Sequence, residues 1–574
     1  METKQAILDM LADLGELTML DEGDPQSFRV RAYESAAQAI TALGSDPGAL
    51  SAKELQKIDG IGKSTAEKIR ELLDTGKVEK LEGLRAKYPR GLVALLRIQG
   101  LGPKAVKRLQ TELGVQSVDD LRKVLAAHQL QDLKGFGKKS EEKIAHALAK
   151  QDEQGVASRT PIAVALPLAT RLVARMLEVP GVSHASYCGS LRRFSETIGD
   201  IDVVVAADQA DPAMDALVTM SFVERILGRG PNKTSVITHR GTQIDLRVVK
   251  PHEIGAAMLY FTGSKGHNIK LRQRALDRGL TLNEYALAEL DGGRVVASET
   301  EESIYKALGL RFIPPELRED GGEIEAAEHG TLPRPMGPIT GDFHLHTALS
   351  KDARPSLEEV VAEAKARGYV VIAITDHAEG TVSGVGREAF TEQRAKIEAL
   401  RRTLGDSLTV LHGVELNIGP EGELDYDAEY RKTFDFCVAS VHDHFDLDRA
   451  AQTRRIVKAM EDPSVRMIGH LSARMIGGRP GIELDLDAVF AAADSTGTAL
   501  EVNGTLSRLD MSVEALRRAR SHTFDVVLTS DAHQVSEMGA VATAAKNAER
   551  AWLDPARVVN AGSKPRLRAW ALRP

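Results

Sequence analysis

Residues 187–205 read YCGSLRRFSETIGDIDVVV, and this stretch decides how the central part of the chain folds. Its β-branched end predicts a buried strand. Because alternate residues of a strand share a face, Asp200 and Asp202 project together. Two adjacent carboxylates in apolar surroundings repel each other, and a bound divalent cation removes that cost. The stretch therefore predicts a strand that binds metal.

A third carboxylate, Asp245, lies in a second strand-like run, TQIDLRVV at 242–249. Three carboxylates can hold two Mg²⁺ or Mn²⁺ ions roughly 3.5–4 Å apart, as in-line phosphoryl transfer requires. One ion would activate a primer 3′-hydroxyl, and the other would hold a nucleotide triphosphate. The turn at Gly189 and Ser190 offers backbone N–H groups and a hydroxyl to the outer phosphates, and Arg193 adds charge. Together these residues predict a site for nucleotidyl transfer.

The block of residues 51–150 carries 21 lysines and arginines against 13 acidic residues, in a chain of net charge −8. It contains three copies of the pattern apolar-x-Gly-apolar-Gly, each before a helix-like run such as Ser64–Leu73. Glycine permits a tight hairpin, and the next helix directs free N–H groups at a phosphate. Nothing in the pattern reads a base edge, so we expect salt-sensitive, sequence-independent DNA binding. The predicted DNA-binding residues are Gly60, Gly62, Lys63, Gly100, Gly102, Lys104, Gly135, Gly137 and Lys138.

Beyond a charged, Pro- and Gly-rich stretch at Pro314–Ile339, strand-like and helix-like runs alternate. Tyr369–Ile374 and Phe434–Val441 are examples of the strands, and Ser356–Ala366 of the helices. This alternation predicts a barrel-like parallel sheet, with its active site at the C-terminal strand ends. Imidazoles and carboxylates follow those strands, and together they suit Mn²⁺, Zn²⁺ or Fe²⁺ better than Mg²⁺ alone. The nine candidate ligands, enough for two or three ions, are His344, His346, Asp352, His377, Glu415, His442, His470, Asp531 and His533.

The composition is that of a globular protein without a membrane span. No run approaches the roughly 18 apolar residues that cross a bilayer, and residues 1–20 mix charges among apolar residues, unlike a signal peptide. Both cysteines, Cys188 and Cys437, lie in apolar, strand-like runs, which argues against a disulfide framework. We therefore expect a cytoplasmic protein with no membrane partner.

The Gly-Ser turn and the Asp-x-Asp strand resemble the nucleotidyltransferase superfamily, and LYFTGS at 259–264 resembles the motif that packs against the incoming sugar in family X DNA polymerases. By position, Asn268 and Arg272 match residues that touch the nucleotide's minor-groove edge and the template. Lys265 and His267 depart from the vertebrate pattern, which leaves sugar and base selection open. Arg159 matches a triphosphate-contacting arginine more loosely. The resemblance implies nucleotide binding by Gly189, Ser190, Arg193, Gly199, Arg159, Tyr260, Phe261, Gly263 and Asn268.

The three hairpins resemble helix-hairpin-helix motifs, and Ile58–Ile69 resembles part of the small N-terminal domain of family X polymerases. In relatives with lyase activity, a lysine of the following helix forms a Schiff base with an abasic sugar, and Lys68 matches that position. An ordinary phosphate-contacting lysine is the alternative, because a nucleophilic lysine needs a lowered pKa.

The C-terminal order His-x-His, Asp, His, Glu, His, His, Asp-x-His resembles the polymerase-and-histidinol-phosphatase (PHP) domain, a distorted (βα)7 barrel that acts on phosphoesters. The whole chain thus resembles a bacterial family X DNA polymerase with a C-terminal PHP domain. The implied segments are α-helical helix-hairpin-helix domains at 1–84 (lyase-like) and 85–155 (fingers), an α/β nucleotidyltransferase palm at 156–248, a thumb at 249–318, a linker at 319–338 and the PHP barrel at 339–574.

The resemblance implies a DNA repair enzyme, for example in base excision repair, that adds dNTPs to gapped or nicked DNA. We expect a monomer that associates with the nucleoid. The barrel would be a Mn²⁺-dependent 3′–5′ exonuclease, with 3′-phosphatase or abasic-site endonuclease action also open. One alternative is a DNA end-binding scaffold with degenerate sites, against which the complete ligand sets argue. The other is a nucleotidyltransferase fused to a small-molecule phosphatase, against which the hairpins and the Tyr260 motif argue.

Overall fold

The computed structural model describes residues 2–24, 27–43, 47–58, 60–98, 101–133, 136–138, 140–142, 144–145, 148 and 159–572. These residues form two compact units. The first comprises Met1–Arg159, Asp215–Gly230 and Thr234–Ile244. The second comprises Thr160–Met214, Pro231–Lys233 and Asp245–Pro574, and it contains both predicted metal clusters.

The N-terminal part of the first unit is helical. Its apolar core includes Leu14, Ile69 and Leu109, and this core extends to Ile144 and Leu148. The α-helices are Glu2–Glu22, Phe28–Ala42, Ala52–Leu55, Lys63–Thr75, Glu79–Lys87, Arg90–Val93, Pro103–Leu113 and Val118–Ala126. Short 3-10 helices lie at Pro47–Ala49, Ala94–Arg97 and Gln129–Asp132.

The central sheet has five strands in the order Val182–Tyr187, Asp200–Ala207, Gln243–Val249, Lys233–Thr238 and Val223–Arg229. The first two are antiparallel, and Tyr187 pairs with Val203. A small antiparallel pair, Thr160–Pro161 with Thr197–Ile198, lies beside the turn that carries the Gly-Ser motif. The helices of this part are Ile162–Leu177, Gly189–Arg192 and Asp211–Val218.

The residues after the central sheet, 250–330, form four α-helices and a small sheet. The α-helices are Ile254–Thr262, Lys265–Leu276, Glu301–Ala307 and Glu323–His329, with 3-10 helices at Pro251–Glu253 and Pro315–Leu317. The strands Leu280–Leu282, Leu287–Glu289 and Val295–Ala297 form an antiparallel sheet.

The segment predicted as a linker, 319–338, includes a helix. Glu323–His329 begins and ends at glycines in the left-handed region, Gly322 and Gly330. Its Ile324 and Ala327 are buried in the same apolar core as Leu259, Leu271 and Tyr305. The charged residues of 319–338 predicted an exposed linker. Several of them lie on this helix instead, and its apolar side completes the core that contains Ile324 and Ala327.

The C-terminal residues form a parallel sheet of seven strands. The strands are Gly341–Leu345, Val371–Ile374, Thr409–Asn417, Phe436–Ser440, Val465–Ile468, Ala499–Asn503 and Val526–Thr529, and each pairs with the next in chain order. A parallel bridge between Leu345 and Ala532 joins the two ends, so the sheet curves into a nearly closed barrel. The strands are buried on both faces, which explains their continuous apolar runs in the sequence.

Helices and short turns surround the barrel. The α-helices are Leu357–Ala366, Arg387–Leu404, Ala428–Arg431, Arg449–Met460, Leu486–Thr496, Val513–Arg518, Val541–Arg550 and Lys564–Ala571. The 3-10 helices are Gly405–Ser407, Ala519–Ser521, Val535–Ala540 and Pro555–Arg557. Of all the helices in the described part of the chain, none is long and apolar enough to cross a membrane.

Candidate active sites

The first site lies on the central sheet. Asp200, Asp202 and Asp245 each offer a carboxylate oxygen, and these oxygens all lie within 4.8 Å of one another. Asp200 and Asp202 share a face of one strand, and the neighbouring strand presents Asp245 beside them. The ammonium of Lys233 lies 2.6 Å from Asp245 and offsets part of the negative charge. The structure therefore brings together the three carboxylates that the sequence predicted.

The electrostatics of Asp202 fit a cation site. Burial, reinforced by the charges of Asp200 and Asp245, raises the pKa of Asp202 to about 7. Gly189 lies directly against this carboxylate: its φ is +63°, and a Cβ there would lie 2.5 Å from Asp202 Oδ2. A side chain at position 189 would therefore fill the space beside the carboxylates, which explains the glycine of the Gly-Ser turn.

The predicted phosphate-binding loop follows Gly189 immediately. Ser190 lies in the short helix Gly189–Arg192. Arg193 donates from Nη1 to the backbone oxygen of Thr262 at 2.6 Å, and its Nε lies 3.1 Å from Glu319 Oε1. Gly199 directly precedes the strand Asp200–Ala207, which carries Asp200 and Asp202, and its α-carbon faces open space.

The LYFTGS motif lies next to this loop. A Cβ on Gly263, whose φ is +69°, would lie 3.3 Å from Arg193 Nη1. Asn268 donates from its amide to the backbone oxygen of Tyr260 at 2.8 Å, and the guanidinium of Arg272 lies over the Tyr260 ring at 5.6 Å. The ring of Phe261 lies 5.1 Å from that of Tyr260. The motif, Asn268 and Arg272 thus form one contiguous surface in the second unit.

The remaining predicted nucleotide contact, Arg159, belongs to the first unit. It stays a prediction.

The described residues of the predicted hairpins lie in the N-terminal, helical part of the first unit. Gly62 and Gly102 are the N-caps of the helices that begin at Lys63 and Pro103, and both have open space at their α-carbons. Gly60 has a φ of +87° and packs against the backbone of Ser35. The two glycines of the first hairpin therefore have different parts. Gly60 makes the turn, whereas Gly62 leaves open space at the N-terminus of the following helix.

The predicted hairpin lysines Lys63, Lys104 and Lys138 are exposed. Gly137 has open space at its α-carbon, whereas Gly100 and Gly135 lie outside the described residues. Lys68 is half-buried: its Nζ donates to Ser64 Oγ at 2.7 Å, and desolvation by burial lowers its pKa.

The second site lies at the C-terminal ends of the barrel strands and is built around Glu415, which is fully buried. One of its oxygens, Oε1, lies 3.3 Å from His344 Nε2, 3.2 Å from His442 Nε2 and 3.0 Å from His470 Nε2. The other, Oε2, lies 2.8 Å from His377 Nδ1. A carboxylate with imidazoles on both oxygens is placed to bridge two cations.

The other predicted ligands complete the cluster. Asp531 Oδ1 lies 3.3 Å from His346 Nε2. Asp352 Oδ2 lies 3.4 Å from His377 Nε2 and 3.8 Å from His533 Nε2. All nine candidate ligands therefore meet at one end of the barrel, in overlapping groups that could hold more than one ion.

The charges of this cluster favour metal binding. Burial opposes ionisation of Glu415, but the imidazoles of His344, His442 and His377 outweigh it and hold its pKa well below the usual range. Among the described residues, both ring nitrogens of His346 and the Nε2 of His344 are buried without a hydrogen-bond partner. Such orphaned nitrogens are costly unless they bind something, and neutral imidazole nitrogens are metal ligands. The donor set thus fits the divalent metals predicted for it.

His412 lies near the cluster but plays another part. Its ring stacks on Phe434 at 4.9 Å, and burial together with the charge of Arg394 lowers its pKa to about 4. It is therefore a neutral packing residue.

Two further polar residues lie in the barrel cluster and were not predicted from the sequence. Glu501 is fully buried, and its Oε1 accepts hydrogen bonds from Thr529 and lies 2.6 Å from His344 Nδ1. Arg508 lies 3.6 Å from Asp531 through its Nε, and its Nη1 is buried without a hydrogen-bond partner among the described residues. Glu501 carries the same signal as the predicted ligands, a carboxylate within an apolar strand. Arg508 has no such signal, because it lies in a loop.

Four protein-family models match parts of this chain. Models described as a helix-hairpin-helix domain and a SAM-like helix-hairpin-helix tandem match residues 2–78 and 92–150. The DNA polymerase beta thumb model matches residues 257–319. The PHP domain model matches residues 342–505. Together with the carboxylate triad, these matches define a class of enzyme with a polymerase-type half and a metal-dependent phosphoesterase-type half.

Relatives narrow the class to one family. The chain is 34% identical to the DNA polymerase/3′-5′ exonuclease PolX of Bacillus subtilis (strain 168), over 99% of both chains. It therefore belongs to the PolX family. It is also 28% identical to DNA polymerase lambda of Rattus norvegicus, over 49% of this chain and 52% of that one. A probable phosphatase of Vibrio cholerae is 28% identical over 38% of this chain and 88% of its own.

These findings confirm the predicted family, the fold class and the enzymatic nature of the chain. They also imply that both halves use divalent metals. The roles of individual residues, the domain boundaries and the identities of the ions stay predictions.

Proposed function

We propose that this protein is a DNA repair polymerase that fills gaps with dNTPs and trims 3′ ends at a second, separate site. The observation that carries the proposal is the presence of two complete and chemically different ligand sets in one unit: three carboxylates on the central sheet, and imidazoles around Glu415 in the barrel. The B. subtilis relative, which is named a DNA polymerase/3′-5′ exonuclease, supports the pairing of these activities.

At the polymerase site, Asp200, Asp202 and Asp245 would hold two Mg²⁺ or Mn²⁺ ions, which supply charge neutralisation and activation of the primer hydroxyl. The N–H groups and hydroxyl of the Gly189–Ser190 turn bind the outer phosphates. Arg193 contributes a positive charge to the same phosphates. Tyr260, with Asn268 on its backbone and Arg272 over its ring, forms the surface that meets the nucleotide sugar and the base pair.

At the barrel site, the nine ligands would hold two or three Mn²⁺, Zn²⁺ or Fe²⁺ ions, which supply a nucleophile near neutral pH and Lewis-acid charge. Glu501 orients His344 through its Nδ1 and leaves Nε2 free for a ligand bond. Arg508, whose Nε lies near Asp531 and whose Nη1 has no hydrogen-bond partner in the described part of the chain, is placed to bind a non-bridging phosphate oxygen.

The N-terminal helical part of the first unit binds the DNA substrate. The exposed lysines Lys63, Lys104 and Lys138, each beside a hairpin, bind the phosphate backbone without regard to sequence. Lys68 is a candidate for Schiff-base formation at an abasic site, because desolvation has already lowered its pKa.

Several finer points belong to the same proposal. We take Mn²⁺ as the barrel metal, and gapped or nicked DNA as the substrate. We expect a monomer in the cytoplasm that associates with the nucleoid during repair. A 3′-phosphatase activity is a second candidate for the barrel, because the V. cholerae protein that shares it is named a probable phosphatase.

The test is one gapped duplex with a labelled primer, incubated with Mg²⁺ or Mn²⁺, with and without dNTPs. Primer extension with dNTPs and primer shortening in Mn²⁺ alone are the expected results. A second duplex ending in a 3′-phosphate separates exonuclease from phosphatase action. DNA binding without either reaction would favour the scaffold alternative.

A further inference from the structure

A salt bridge joins the PHP barrel to the palm beside the nucleotide-binding loop. Arg474, in the loop after the barrel ligand His470, meets Glu196, which follows that nucleotide-binding loop. Nη1 lies 3.0 Å from Glu196 Oε2 and Nη2 lies 2.8 Å from Oε1, a bidentate pair. Both side chains are shielded, with 16% of Arg474 and 28% of Glu196 exposed. Such a pair fixes distance and orientation together.

The barrel holds Arg474 rigidly. Its Nε donates to the backbone oxygen of Arg508 at 2.8 Å, and Nη2 also donates to the backbone oxygen of Leu509. The turn that presents it is strained, since His470 has a φ of +23° and Ala473 a φ of +51°. Non-glycine residues persist in this region only when their surroundings fix them. The position of the Arg474 guanidinium is thus fixed by the barrel, unlike that of a mobile surface charge.

The palm end of the bridge, Glu196, directly follows the nucleotide-binding loop, residues 189–195. The backbone oxygen of Glu196 accepts from Ile162 at 2.9 Å, and the preceding Ser195 donates from its N–H to the backbone oxygen of Ser190 at 2.9 Å. Within the loop, Phe194 has a φ of +62°. A shift of Glu196 would therefore move the loop that carries Ser190 and Arg193.

A second link from the barrel reaches the same loop. Glu319 lies 3.1 Å from Arg193 Nε and 3.3 Å from Arg550 Nη2, so one thumb carboxylate joins the loop to a barrel helix. Lys546 of that helix lies over the Phe194 ring at 5.6 Å and pairs with Glu316 at 2.9 Å. The barrel thus contacts this segment directly at Phe194 and Glu196 and, through Glu319, at Arg193.

We propose that Arg474 is a positioning residue for DNA synthesis: through Glu196, the PHP barrel holds the triphosphate-binding loop of the polymerase in its working shape. The inference rests on the proposed function of the palm site. It gives the barrel a second role that needs none of its metals. Because Arg474 acts on Glu196 and not on the metal-binding group Asp200, Asp202 and Asp245, its loss should weaken nucleotide binding more than it slows the chemical step.

The experiment compares single-nucleotide incorporation by full-length variants on one gapped duplex, with KM for the dNTP and kcat measured separately. Glu196→Gln breaks the bridge from the palm side and leaves both bonds of Arg474 to the barrel loop. Arg474→Gln breaks the salt bridge from the barrel side. The variant with both substitutions completes a double-mutant cycle. The control is Glu178→Gln. It breaks an exposed pair with Arg175 at the C-terminal end of the helix Ile162–Leu177.

We expect Glu196→Gln and Arg474→Gln each to raise KM about tenfold, the cost of one charge-assisted bidentate pair, with kcat changed less than about twofold. The double variant should be no worse than the poorer single variant, because the two residues act through each other. Primer shortening in Mn²⁺ should be unchanged in Glu196→Gln. The control should keep the wild-type KM.

An unchanged KM in Glu196→Gln, or multiplied effects in the double variant, would overturn the inference. Arg474→Lys replaces Arg474→Gln if the latter does not fold, since lysine keeps the charge but loses the bidentate geometry. Asp200→Ala with Asp202→Ala is run in parallel. If that variant loses incorporation while Glu196→Gln keeps its KM, only this inference fails. If the Asp200→Ala, Asp202→Ala variant still incorporates nucleotide, the proposed palm site is wrong, and this inference, which rests on that site, is wrong as well.

Discussion

Replacement of Glu501 by glutamine should weaken the barrel site without touching its ligands. The carboxylate lies 2.6 Å from His344 Nδ1 and accepts the backbone N–H of His470, so it orients two predicted ligands at once. Glutamine keeps the volume but removes the negative charge that orients the His344 ring and raises its basicity.

The size of the effect follows from this arrangement. Removal of a partner that orients one metal ligand typically costs about 10- to 100-fold in metal affinity or activity. Because Glu501 holds two such residues, we expect the upper part of that range. The Mn²⁺ concentration for half-maximal primer shortening should therefore rise by roughly 30- to 100-fold.

The assay is primer shortening across a Mn²⁺ titration, with metal content measured on the same preparations. Nucleotide addition by this variant should equal that of the wild type. Asp487→Asn, which breaks an exposed pair with Arg518 on the same barrel, is the control. An unchanged Mn²⁺ requirement in Glu501→Gln would refute the reasoning, because it would show that the buried carboxylate does not act through His344.

Three further predictions concern the polymerase half and the hairpins. Asp200→Ala with Asp202→Ala should reduce nucleotide addition about a thousandfold or more while primer shortening continues; continued addition would exclude these carboxylates as ligands. Because the pKa of Asp202 is raised to about 7, a proton competes with metal below that pH. The Mg²⁺ needed for half-maximal addition should therefore rise about tenfold per pH unit below 7 and level off above it, and a flat profile from pH 5.5 to 8 would contradict this. Replacing Lys63, Lys104 and Lys138 by alanine should reduce the slope of log affinity against log salt by up to about 2.7 for every DNA sequence; an unchanged slope would show that these lysines do not meet phosphates.

Strand periodicity made the ligand residues predictable. Asp200 and Asp202 alternate with apolar residues, so their shared face follows from the pleat alone. The barrel strands are short apolar runs followed by His, Asp or Glu. The strands Val371–Ile374 and Phe436–Ser440 lie within the predicted runs Tyr369–Ile374 and Phe434–Val441. For the Asp200–Asp202 strand and for the barrel strands alike, the local spacing of residues determines where a side chain points.

Contacts across long distances in the chain were not predictable in this way. Arg474 and Glu196 are 278 positions apart, and neither stands out in its own segment. Arg508 lies in a loop whose path depends on the surrounding barrel. The helix Glu323–His329 was hidden because its apolar side is short and its neighbours are charged. These features depend on tertiary packing, which one sequence does not reveal.

The central claim is that two separate metal sites perform two reactions, and His344→Ala with Asp531→Ala tests it most directly. Both side chains belong to the barrel cluster, and His344 Nε2 lies 3.6 Å from Asp531 Oδ1. The measurement follows an end-labelled primer on gapped DNA, in Mn²⁺ without dNTPs and in Mg²⁺ with them, for wild type and variant. We predict that the variant loses primer shortening and keeps primer extension. Equal shortening by both proteins would contradict the account and place the nuclease outside the barrel.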